Sequence, residues 1–211
     1  MFKRSSQMSN RHVQNLRHLL RTDYHRYLKY NHYDLNNLPG LINSIGLMLR
    51  SPGIVAVFIQ RLDYLNFSWY GDKGFNLMKY DLRIVLFILN YFKRTIFKIA
   101  IPKTVNIGPG LVISGRGEII VGAKRIGENC TLHHRVTIGI GGKKRDKPII
   151  GDNVVVESDT LIFGGIRIGN NVTFKKGTVC SKNIPDNCIV AGNPARIIDR
   201  KQTSHRDVYY E

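Results

Sequence analysis

Two adjacent histidines, His133 and His134, are the residues of this 211-residue sequence best suited to acid–base chemistry. Imidazole titrates near neutral pH, so a positioned histidine can take the proton from a hydroxyl group, which is a poor nucleophile until then. His134 stands two residues after Leu132, and a glycine- and cation-rich segment, Gly139 to Ile149, follows closely. The other five histidines fall in the basic N-terminal stretch or the tail and read as solvated side chains.

The elements that must position this pair follow a period of six. Ile126, Leu132 and Ile138 are six apart, as are Ile150, Val156, Ile162, Ile168, Phe174 and Cys180; Ile107 and Ile113 begin the series, and Ile120 follows after one extra residue. Small or β-branched residues recur four positions later, among them Cys130, Val136, Val154, Thr160, Ile166, Val172 and Thr178. Each hexapeptide then supplies one short strand and a tight corner, and three make a triangular turn whose aliphatic residue points to the axis. The fold class is a β-solenoid, with Cys130 and Cys180 inward as small core residues rather than redox or metal groups. Chain can leave such a stack only at a corner, so the six residues inserted between Ile138 and Ile150 and the single one between Ile113 and Ile120 mark the working face.

Composition agrees with a packed protein, 43% of its residues being hydrophobic. Thirty-two Lys and Arg against 15 Asp and Glu leave a net charge of +17, which attracts polyanions, anionic headgroups or phosphorylated ligands. Three unpatterned cysteines and the lack of a recognisable leader point to a reducing cytoplasm. No apolar run approaches the roughly 18 residues of a membrane span. Residues 1–33 form a basic arm or helix and 34–103 a helical region, with helices expected over 52–66 and 76–100; the solenoid occupies 104–198 and a tail 199–211. The second of these helices mixes aromatic residues and cations, so it either packs on its own protein or makes a peripheral contact at the inner face of the cytoplasmic membrane.

The hexapeptides, Val136-Thr137-Ile138-Gly139 leading into a Gly/Lys loop, and Ala191-Gly192-Asn193-Pro194-Ala195-Arg196 together resemble the hexapeptide-repeat acyltransferases. Within them the chain looks like the serine-acetyltransferase-like branch that includes the bacterial capsule and exopolysaccharide O-acetyltransferases. The resemblance implies a left-handed parallel β-helix, a homotrimer, acetyl-CoA bound in the groove between neighbouring prisms, and a catalytic histidine at a corner. The serine acetyltransferases keep that histidine at the position of Gly115 here, and a second one near Lys147, which argues against serine as acceptor. His134 lies 19 residues beyond Gly115, one turn plus the inserted residue, in the same column. It is therefore assigned as general base, with His133 as the alternative. For acetyl-CoA the resemblance points to Gly164 and Gly165 as an open corner, Lys182 one turn further, Arg196 for the nucleotide, and the loop cations Lys143 and Lys144.

The leading expectation is thus direct acetyl transfer from acetyl-CoA to a sugar hydroxyl of a capsule or exopolysaccharide, with an anionic or lipid-linked glycan as acceptor. Serine or another small molecule is the alternative acceptor, and a non-catalytic trimeric polyanion-binding scaffold ranks lower. No metal is expected, because a zinc lyase on this scaffold needs three imidazoles and the solenoid offers two. Nucleic acid is not an expected partner, since no recognition motif accompanies the dispersed cations.

Overall fold

The computed structural model describes residues 2–31, 51–70, 78–115, 117–141 and 146–200. Three helices come first: α1 (Phe2–Tyr30), α2 (Pro52–Tyr70) and α3 (Met78–Thr95). Proline at the first helical position of α2 costs no hydrogen bond, and the Ser51 carbonyl accepts from Ile54 N at 3.2 Å. The helix expected to run to residue 100 stops at Thr95. Lys98 takes a left-handed backbone (φ 53°), and Ile99–Ala100 becomes the first strand, β1, because Ile99 is needed to pair with Ile119.

The solenoid has three parallel faces. One stacks β1, β4 (Ile119–Val121), β7 (Val136–Gly139), β10 (Leu161–Phe163) and β13 (Val179–Cys180). A second stacks β2 (Asn106–Ile107), β5 (Arg125–Ile126), β8 (Ile149–Ile150) and β11 (Arg167–Ile168). The third runs through β3 (Val112–Ile113), β6 (Thr131–Leu132), β9 (Val155–Val156), β12 (Thr173–Phe174) and β14 (Cys188–Ala191), and ends on β15 (Arg196–Arg200), the one antiparallel member. Backbone groups pair from turn to turn, as in Thr131 N to Val154 O and Val155 N to Val172 O, both 2.9 Å. The hexad residues from Ile126 to Cys180 fill the axis and are buried, as are Cys130, Val136, Val154, Thr160, Val172 and Thr178. Burial holds the Cys130 thiol up at about 11, which keeps it protonated and unreactive at neutral pH.

Ile120 departs from the expected pattern: it faces outward, 40% exposed, while Ile119 and Val121 are buried. Val121, not Ile120, pairs with Ile138. The corner after Ile113 is longer than the hexad count suggested and the next one shorter, so the inward position slides by one residue.

The helices cover the first turn, whose outward backbone groups would otherwise lack partners. Arg61 of α2 donates to Ile107 O and Gly108 O, both at 2.6 Å, and Asp23 of α1 accepts from Gly110 N at 2.7 Å and Leu111 N at 3.0 Å. The two side chains also pair with each other at 2.9 Å, both buried. Arg26 donates to Gly110 O and Cys130 O, and Gln60 to Pro102 O. Gly53 lies so close to β3 that a Cβ there would sit 2.1 Å from Ile113 O, so the start of α2 can approach the strand only without a side chain. α3 is held more loosely. It buries Leu86 and Lys93 while Phe87, Tyr91 and Phe92 are exposed.

Candidate active site

The corner after β6 carries both histidines and divides them. His133 turns toward α1, with its Nε2 3.4 Å from the Tyr30 hydroxyl and the two rings edge to face. Burial lowers its pKa, opposed by Glu157 and assisted by the neighbouring His134. His134 turns the other way, along the column of corners. Its Nδ1 lies 3.2 Å from Ser158 Oγ, one turn above, and the Ser158 side chain is buried.

The floor under His134 is made of glycine. Gly115 and Gly117 adopt φ of +89° and +139°, where L side chains are strained, and a Cβ on Gly115 would meet His134 Nδ1 at 3.0 Å. The imidazole therefore leans over the space in which a residue-115 side chain would begin. The Ser158 contact engages Nδ1 and leaves Nε2 as the nitrogen open to a substrate. When Nδ1–H donates to Ser158 Oγ, the lone pair is on Nε2, the atom left to take a proton from a substrate.

Carboxylates along the same column are committed elsewhere. Asp159 accepts from Arg135 at 2.9 Å, which holds its carboxyl below the usual range. Glu157 accepts from Lys175 Nζ at 2.9 Å and from Lys176 N at 3.0 Å. Among the described residues no three His, Cys, Asp or Glu side chains converge on a common point.

The residues expected to meet acetyl-CoA lie on a different edge. Ile162 pairs with Cys180, so Gly164 and Lys182 stack one above the other at the corner following β10 and β13. The inserted segment leaves and re-enters here through an antiparallel bridge between Gly141 and Asp146. Gly164 N donates to Gly139 O at 3.2 Å, and Asp146 packs on Gly165, where a Cβ would lie 2.5 Å from its own. Lys182 is exposed, as is Arg196 at the start of β15. Lys143 and Lys144 lie outside the described residues. The face built from β4, β7, β10 and β13 separates the His134 corner from the Gly164–Lys182 corner, so one chain does not bring the two together. Ser158 escaped sequence reasoning, although the signal was present: 18 residues plus the six-residue insertion place it one turn beyond His134.

No family model matches the chain. Among curated relatives, a serine acetyltransferase of Mycobacterium tuberculosis is 32% identical over 177 residues, which cover 79% of this chain and 69% of the relative. The chain belongs to the serine acetyltransferase family. A serine acetyltransferase of Synechococcus elongatus is 29% identical over 77% of this chain, and the match spans 63% of that relative. Among solved structures, the serine acetyltransferase of Brucella abortus strain S19 in complex with coenzyme A is 25% identical with a TM-score of 0.67, covering 89% of this chain and 69% of that one. The shared solenoid is the left-handed parallel β-helix.

This membership overturns the expected capsule or exopolysaccharide acceptor, and with it the anionic or lipid-linked glycan: the relatives are named for serine. The inference from Gly115 failed because it let the residue type at one corner decide the acceptor, although His134 one turn on in the same column was already assigned as the base. The structure shows an imidazole reaching the same corner from the next turn.

Proposed function

We propose that this protein acetylates the hydroxyl of serine from acetyl-CoA, with His134 as general base. The chain is an acyltransferase that moves acetyl from acetyl-CoA, its co-substrate, to a hydroxyl group. His134 Nε2 takes the proton as the serine oxygen attacks the thioester carbonyl. The tetrahedral intermediate collapses, the C–S bond breaks, and the coenzyme A thiolate leaves as the imidazolium returns the proton. Ser158 acts as a positioning residue through Nδ1. The observation that carries the reading is His134 held over Gly115 and Gly117 with its second nitrogen engaged by Ser158, in a chain of this family. Appearance of free thiol from acetyl-CoA in the presence of serine measures the reaction. His134→Ala is expected to lower kcat by about 100-fold or more with the KM for acetyl-CoA nearly unchanged, and His133→Ala to do far less. Equal activity in wild type and His134→Ala would remove the histidine from the mechanism. Ser158→Ala is expected to lower kcat by a smaller factor and to change its pH profile, since both imidazole tautomers then become accessible.

We assign catalysis to the solenoid, residues 104–198, and capping to α1 and α2, which hold its first turn. A homotrimer would set the His134 edge of one copy against the Gly164–Lys182 edge of the next and so complete a site that one chain leaves divided. Sedimentation should then give three times 24.1 kDa. Lys182, Arg196, Lys143 and Lys144 are the cations we assign to the phosphates of acetyl-CoA. No helix among the described residues is long and apolar enough to cross a membrane. We propose a cytoplasmic enzyme whose α3, with aromatic residues exposed beside Arg94 and Lys98, makes any peripheral contact with an anionic bilayer.

A further inference from the structure

A second concave surface lies away from the His134 corner, where α1 crosses the edge of the prism that follows β5 and β8. It is a cavity of about 680 Å³ whose lining includes Arg21, Arg26, Lys29, His18 and His25 of α1 and Asn153 of the solenoid, with no carboxylate among the described side chains. His18, Arg21, His25 and Lys29 recur at three- and four-residue steps, so they form one stripe along the helix. None of the side chains lining the cleft is acidic.

The cations have different tasks. Arg26 spends its guanidinium on Gly110 O, Cys130 O and Thr131 Oγ1, pinning α1 to the prism while leaving its charge beside the cavity. Arg21 spends only Nε, which donates to His25 Nε2 at 3.4 Å, and its two terminal nitrogens carry no hydrogen bond among the described residues. That leaves a planar fork of donors suited to phosphate oxygens. Asn153, at an exposed left-handed corner (φ 55°), presents a side-chain amide from the opposite wall.

We propose that this cleft binds a small anion carrying two or more phosphate groups, at a site separate from that for acetyl-CoA. The guanidinium charges of Arg21 and Arg26 exceed what a single carboxylate would neutralise, and the volume falls within the roughly 300–1,000 Å³ of small-molecule sites. The Gly164–Lys182 corner assigned to acetyl-CoA lies on another edge of the prism.

Titration calorimetry of the full chain with pyrophosphate and with ATP, at about 150 mM ionic strength, tests the idea. Saturable binding of one anion per chain is expected, weakened at least 10-fold by Arg21→Gln and also weakened by Arg21→Lys, which keeps the charge and loses the fork. His25→Gln serves as a second variant if Arg21→Gln does not fold, and it too should weaken binding. Equal binding by wild type and variants would assign the signal to the diffuse +17 surface and overturn the proposal. So would displacement of pyrophosphate by coenzyme A, which would make the cleft part of the donor site, or binding of oligonucleotide without pyrophosphate.

Discussion

From Ile126 to Val190 the residues that point to the solenoid axis are fully buried or nearly so, whereas α3 presents six large apolar side chains outward and buries a lysine. The solenoid uses one solution many times: each turn rests on the last, and a six-residue pattern specifies all of it. The helical cap has no repeat to lean on. Its attachment depends on a few polar side chains matched to the open backbone of one turn, chiefly Asp23, Arg26 and Arg61. Regular packing repeats one solution and is legible from it, while the matched cap rests on a few specific contacts.

Breaking the axis should cost most. Phe174 is the largest fully buried apolar side chain of the solenoid, and Phe174→Ala is expected to lower stability by about 3–5 kcal/mol in chemical denaturation. A loss below about 1 kcal/mol would mean that neighbouring turns close over the cavity. The cap should break nearly as sharply. Asp23→Ala strands the buried Arg61 and orphans Gly110 N and Leu111 N; the expected loss is about 3 kcal/mol, toward the lower end for a broken buried pair because Arg61 retains two carbonyl acceptors. Replacing both Asp23 and Arg61 by apolar residues should not restore it, since the backbone groups of the first turn stay unpaired.

Lys93 offers a change of opposite sign. Its Nζ is buried with no hydrogen-bond partner among the described residues, and burial lowers its pKa from 10.5 to about 8, with Asp63 favouring and Arg94 opposing the charge. Below about pH 8 the amine is charged in both folded and unfolded chains, so the cost of burial is fully felt; it is relieved as pH rises from about 8 to 10.5. Lys93→Met should therefore stabilise the protein at neutral pH by about 3 kcal/mol at most, with a gain that shrinks above pH 8. A gain independent of pH would show that packing, not charge, is responsible. Phe87→Ser on the exposed face should change stability by less than about 0.5 kcal/mol. If α3 meets a bilayer, the same substitution should reduce flotation with anionic vesicles.

Legibility follows the same division. Hexad residues such as Leu132, Ile162 and Cys180 could be placed because a repeat fixes each position from its neighbours. Ile120 could not, because the sequence reveals only the total between Ile113 and Ile126, not how two unequal corners share it. The His134 corner emerged from counting turns, and the same count carried across the insertion reaches Ser158. The Asp23–Arg61 pair left no local trace, since it joins two helices through the backbone of a third segment. The acceptor was misread for another reason: the missing histidine at Gly115 was taken to exclude serine, although the same count places His134 in that column one turn on.

The antiparallel β15 has a consequence for how copies of this chain can meet. A parallel stack is a template for its own extension, and an uncovered final turn would accept the first turn of another copy. Here β14 pairs with a strand of reversed direction carrying Arg196, Asp199 and Arg200, while the opposite end lies beneath α1 and α2. Reversal spoils the register that an incoming turn would need, and the charges oppose its docking. On this face lengthwise growth into fibres is obstructed at both ends, which favours association through the sides of the prism.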